Sequence, residues 1–116
     1  MRILGSDTVT RIRPTRVASA HGGTRLDWTT PDELPVTECR LQVRTSDEAG
    51  GRDTLTHRLY APVAADIDAD DHIRATEPGT GRAITAAVIG RPLRRISRTG
   101  HLGYAEVELR EVDTHG

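Results

Sequence analysis

Phenylalanine is absent from this chain, and so is lysine. With one Trp and two Tyr in 116 residues, a core of stacked rings is excluded, and the interior has to be made of Val, Ile, Leu and Ala. At this length such a core leaves little surplus of apolar burial. A subunit of modest stability, completed by partners, is therefore expected. Without lysine, arginine supplies all 16 basic residues against 17 acidic ones, for a net charge of −1. No overall basic field draws such a chain to nucleic acid. An all-Arg complement agrees with a GC-rich coding genome, and also with interfaces that use bidentate pairing. The single cysteine, Cys39, excludes an intrachain disulfide and a Cys-based zinc site. In its alternating context it reads as a small buried hydrophobe. No apolar run opens the chain, and no stretch is long enough to span a membrane as a helix, so a soluble protein made in the cytoplasm is expected.

A sustained helical period is also missing, whereas period-2 alternation recurs. Val9–Arg13 reads as a short strand stopped by Pro14, with Arg16–Ala20 continuing beyond it. His21-Gly22-Gly23 is a turn. Thr24–Trp28 returns as a short strand or turn, with Trp28 anchoring one end of the core, and Thr29–Pro35 reads as a loop with room for one helical turn between its prolines. Val36–Thr45 is the clearest strand, with Cys39, Leu41 and Val43 on one face and Glu38, Arg40, Gln42 and Arg44 on the other. In the stretch from Arg52 to Ala75, Leu55, His57 and Leu59 face inward until Pro62 ends the strand. Ala64–Asp71 is a small, acidic connection, and His72–Ala75 is a second strand of a central pair, with Ile73 facing in. Glu77–Gly81 is a tight turn. Arg82–Gly90 alternates through Ile84, Ala86 and Val88, Arg91-Pro92 interrupts, and Leu93–Arg98 resumes. Tyr104–Val112 buries Ala105, Val107 and Leu109. Short alternating segments punctuated by Gly and Pro predict an all-β fold, a small antiparallel barrel or sandwich with long loops. It forms one domain over residues 1–116, with 1–23 as an N-terminal arm or edge strand and 113–116 as a tail.

Few residues point to chemistry. Asp66, Asp68, Asp70 and Glu77 match positions 1, 3, 5 and 12 of a calcium loop. Asp71, however, stands where that loop's turn wants Gly, and the flanks read as strands where the motif has helices. The competing reading is a solvated connection in which aspartates cap backbone donors and Asp70 or Asp71 pairs with an Arg of a neighbouring strand or subunit. The five histidines, His21, His57, His72, His101 and His115, show no metal-ligand spacing, and no nucleophile motif frames a serine. No cofactor is implied, and an enzyme is not expected. Arg91, Arg94, Arg95 and Arg98 form the one dense basic patch. It has three readings: contact with DNA phosphates, salt bridges to adjacent subunits, or a solvated strand face. The loop Ser46–Gly51 is either a plain hairpin connection or a mobile functional loop.

The order of short motifs is more informative than any one of them. Asp27-Trp28 precedes a proline-containing loop. Arg44-Thr45-Ser46 with Glu48, then Gly51-Arg52-Asp53, lead to a strand ending Leu59-Tyr60-Ala61-Pro62. Asp66-Ile67-Asp68-Ala69-Asp70-Asp71-His72-Ile73 and Val88-Ile89-Gly90-Arg91-Pro92-Leu93 follow. Over about residues 24–112 this order resembles the head-completion, or head-to-tail stopper, proteins of long-tailed bacteriophages, especially those infecting high-GC actinobacteria. The chain departs from that pattern at Leu93-Arg94-Arg95 and Gly79-Thr80-Gly81, which lack the family's usual aromatics. The resemblance implies a non-enzymatic β-barrel assembled as a six- or twelve-fold homo-oligomeric ring in the virion neck, put together in the host bacterial cytoplasm. An adaptor ring would lie above it, the tail terminator or tail tube below it, and viral DNA in its channel, with no membrane involved. It also implies that Thr45, Ser46, Asp47, Glu48, Ala49, Gly50, Gly51, Arg52 and Asp53 form a plug loop facing that channel. The alternatives are a tail terminator or other neck ring protein and, from another class, a calcium-dependent binding module.

Overall fold

The computed structural model describes residues 5–44, 55–96 and 103–112. Alternating segments become six strands: β1 (Asp7–Ala18), β2 (Thr24–Val43), β3 (His57–Pro62), β4 (His72–Thr76), β5 (Ala83–Ile96) and β6 (Gly103–Glu111). They close into an antiparallel barrel in the order β1-β2-β3-β6-β5-β4, and no helix occurs among the described residues. The predicted all-β barrel is what forms. Val9, Val36, Cys39, Leu41, Leu59, Ile67, Ile73, Ile84, Val88, Val107 and Leu109 fill the interior, with alanines at 61, 75 and 86 between them. Every inward position expected on β5 and β6 is buried, as are His57 and Leu59 on β3. Beta-branched and small side chains replace the missing rings by interdigitation across a narrow barrel.

Several sequence expectations are corrected. The strands at 57–62 and 72–76 are not a pair: β3 lies between β2 and β6, and β4 between β1 and β5. The N-terminal segment is not an edge strand. β1 pairs with β2 along most of its length and with β4 through Thr10–Ile12. Pro14 does not stop β1. Arg13 pairs with Asp32 and Thr15 with Asp27, so Pro14 stands opposite a four-residue excursion of β2 where no ladder donor is required. The expected loop 29–35 is part of β2. Its prolines are tolerated because, among the described residues, β2 has strand partners on its β3 side only at Arg40–Val43. Trp28 does not anchor the core: it is 37 % exposed and its indole stacks on His72 with ring centroids 4.0 Å apart. Val43 is exposed at the barrel mouth. Arg91-Pro92 forms a bulge inside β5, between the pairs Ile89–Glu108 and Leu93–Glu106, with Gly90 at φ 72° making the bend. A second bulge lets Val36 and Cys39, three residues apart, both point inward. There Glu38 takes φ 60° opposite the shift from Asp7–Cys39 to Val9–Val36.

Strand direction places the remaining parts. β1, β3 and β5 run one way, and β2, β4 and β6 the other. The β1–β2 turn, the β3–β4 connection and the β5–β6 connection therefore share one end of the barrel. The β2–β3 connection and the β4–β5 turn share the other.

Candidate functional site

The first end is closed by the acidic connection. Ile67 is fully buried in the barrel core, although it comes from the connection and not from a strand, and Ala65 packs against the same cluster. Holding it there is a set of arginines from β1. Arg11 is paired with Ile73 and shares its inward face, so a guanidinium sits inside the barrel mouth at 2 % exposure. It bonds to the Asp32 carboxylate and, at 3.0 Å, to Asp66. Arg13 donates from Nε and Nη2 to both oxygens of buried Asp71, each at 2.9 Å. It also reaches Asp66 at 3.0 Å. This fork geometry is what arginine, and not lysine, can supply. These bonds hold the Asp66 carboxyl below its usual range, Arg13 being the main cause. The Asp68 N–H donates to Asp71 Oδ2 at 2.7 Å, and the Asp71 N–H to the Asp68 carbonyl at 3.1 Å. Arg16 pairs with Asp70 at 2.6 Å. On the far side Arg94 donates to the carbonyls of Val63, Ala65 and Ile67.

This geometry decides several sequence readings. Asp70 and Asp71 do have Arg partners on a neighbouring strand. The calcium-loop set is not brought together: Asp66, Asp68 and Asp70 lie near β1 arginines, while Glu77 sits past the far end of β4, beside His57. Of the basic patch, Arg94 is occupied by backbone carbonyls and Arg95 lies 3.6 Å from Glu106 of its own chain. Arg91 lines an open cleft of about 480 Å³ with Arg16, Asp68, Asp70 and Arg94. Arg98 lies outside the described residues, as does the whole predicted plug loop Thr45–Asp53. Charged residues on the outer strand faces also find partners within the chain. Arg58 bonds Glu108 at 2.8 Å, and Arg44 bonds the same carboxylate at 2.6 Å.

The second end is closed by a cluster that sequence spacing did not reveal. His57 opens β3 and is 2 % exposed. Its Nε2 lies 2.8 Å from Glu77 Oε2 and its Nδ1 2.8 Å from Thr56 Oγ1. Thr80 donates to Glu77 Oε1 at 2.7 Å. Arg82 forks onto both oxygens of Glu111, at 2.6 and 3.0 Å, and reaches Glu77 at 3.3 Å. The Glu77 carboxyl is held below its usual range by Thr80 and then His57, and Glu111 by Arg82. Ligand-type atoms of His57, Glu77 and Glu111 lie within 4.8 Å of one another. These residues are 20 and 54 positions from His57 in the chain, so the only available signal was the inward parity of His57, a buried imidazole that needs polar partners.

No family model and no curated protein matches this chain. Among solved structures it is similar to protein SF1141 from Shigella flexneri 2a, a structural-genomics target solved in solution. The TM-score is 0.61 at 20 % identity, over 99 % of this chain and all of that one. At that identity the likeness is one of fold.

Proposed function

We propose that this chain is a structural virion protein, a ring-forming connector subunit at the phage head–tail neck that closes the filled head and offers the tail a docking surface. The ordered motifs over residues 24–112 support this reading, and the barrel expected of such a subunit is the fold adopted. The observation that carries it is the filled interior. Side chains pack the barrel core and ion pairs close both ends, which leaves the outer strand faces and the end loops to make function. Contact surfaces and projecting loops are what a ring subunit uses. In this reading the β2–β3 connection, which carries Thr45–Asp53, leaves the barrel at the His57 end and forms the plug. Adaptor and tail rings meet the two ends, and viral DNA passes in the channel between copies.

Cryo-electron microscopy of whole virions, focused on the neck, tests this. The expected result is a closed ring of this barrel between head and tail, with Thr45–Asp53 facing the axis. A fully interpreted neck without this chain would overturn the reading.

A further inference from the structure

We propose that His57, Glu77 and Glu111 form a zinc site at the second end of the barrel, and that Arg82 holds the cation position when zinc is not bound. The three residues come from β3, the β4–β5 turn and β6, so a bound ion would tie together three chain segments at one mouth. One nitrogen and two carboxylate oxygens are a donor set suited to Zn²⁺, with water completing a tetrahedron. Calcium and magnesium, which want six or more oxygens or a near-octahedral shell, fit it poorly.

The arrangement is near the required geometry. Bonds of about 2.1 Å at the tetrahedral angle put ligand atoms roughly 3.4 Å apart. The donor atoms already lie within 4.8 Å of one another, and the His57–Glu77 pair is at 2.8 Å. His57 is also oriented as a metal-bound imidazole is. Thr56 Oγ1 backs its Nδ1, accepting the Glu111 N–H at 2.7 Å at the same time. Rotation of that hydroxyl lets it accept Nδ1–H and leaves a bare Nε2 for the ion. Thr80 occupies Glu77 Oε1, which leaves Oε2 directed at the centre. Arg82 marks where positive charge is stabilised, since its guanidinium bridges the two glutamates. It is half-exposed, on a long stem beside the turn glycine Gly81, so its head can swing into water while the other three groups stay in place. Zinc and arginine therefore compete for one position, which a purely structural ion network does not predict.

The test uses the untagged full chain, with melting temperature and the visible spectrum of the Co²⁺ form as readouts. Zn²⁺ is expected to raise the melting temperature of the wild type by several degrees, with Ca²⁺ and Mg²⁺ at the same concentration having no effect. Arg82→Ala removes the competitor and is expected to bind zinc about tenfold more tightly. His57→Asn and Glu111→Gln are expected to lose the shift. Co²⁺ is expected to give the d–d bands of a four-coordinate N/O site in Arg82→Ala and none in His57→Asn. Should His57→Asn misfold, Glu111→Gln and the Co²⁺ spectrum still decide. The proposal is overturned if zinc shifts neither wild type nor Arg82→Ala, if the Glu111→Gln shift equals that of wild type, or if Arg82→Ala binds zinc no better than wild type.

Discussion

Replacing Ile67 with Ala probes the connection that closes the first end. Three carbons are removed from a side chain with no solvent exposure. At about 0.8 kcal/mol per buried carbon the transfer loss is about 2.4 kcal/mol. A cavity walled by neighbouring strands, with limited room to collapse, brings the total to about 3–4 kcal/mol. At about 4 °C per kcal/mol for a domain of this size, the melting temperature falls by roughly 12–16 °C. Urea denaturation followed by Trp28 fluorescence measures it, and an unchanged slope against urea shows that the folded and unfolded states keep their exposed areas. The exposed neighbour Ala69 is the control, because Ala69→Ser changes stability by about 0.5 kcal/mol or less. A loss below about 1 kcal/mol for Ile67→Ala would refute the reasoning. The connection would then open as a unit at little cost, and the arginines of β1 would not be holding it down.

Arg13→Ala leaves buried Asp71 without its fork and is expected to cost about 3–5 kcal/mol; chemical denaturation of Arg13→Ala and Asp71→Asn should show that removing either partner alone is destabilising. The carboxyls of Asp66, Glu77 and Glu111 lie below their ordinary values of 3.8, 4.5 and 4.5. Their stabilisation is therefore complete above about pH 5 and is lost as pH falls through their folded values, so the denaturation midpoint should drop below about pH 4. Burial also holds the His72 imidazole below its usual 6.5, so the unfolded chain takes up that proton first and a further loss of stability is expected as pH falls from about 7 to about 6. Burial pushes the Cys39 thiol up to about 12, so a thiol reagent at neutral pH should label it only at the rate of unfolding, and fast labelling of the native state would contradict its place in the core. A Cβ at Gly5 would meet the Cys39 carbonyl, backbone that cannot move aside cheaply, so Gly5→Ala should lower the melting temperature while Gly22→Ala, in open space, costs only its left-handed strain of about 1 kcal/mol.

Much of the barrel was legible because parity along a strand is a local property. Ile84, Ala86 and Val88, or Ala105, Val107 and Leu109, declare their inward face in the sequence itself. Strand order was not legible. The adjacency of 57–62 and 72–76 in the chain suggested a pair, whereas closure of the barrel sends β4 around to β1. Prolines misled for a definable reason: Pro14 read as a stop, Pro31 and Pro35 as part of a loop and Pro92 as an interruption, yet each stands where a bulge or a missing neighbour removes the need for an N–H donor. Ile67 escaped notice because aspartates flank it, and only the β1 arginines, far away in sequence, make burial of that segment affordable. The His57–Glu77–Glu111 cluster escaped for the same reason, since its members meet only once three strands are in register.

The packed interior has a consequence for traffic. A single copy has no bore of its own, since Leu59, Ile73, Val107 and Leu109 fill the space that a larger barrel would leave to water. Whatever travels past this protein moves along its outside. If copies stand side by side around an axis, the conduit is paved with outer strand faces. Where Arg58 meets Glu108 and Arg95 lies near Glu106, that paving is already charge-balanced before any polyanion arrives. In the ring proposed above, such a wall would offer little purchase to a phosphate backbone and would favour rapid passage over retention.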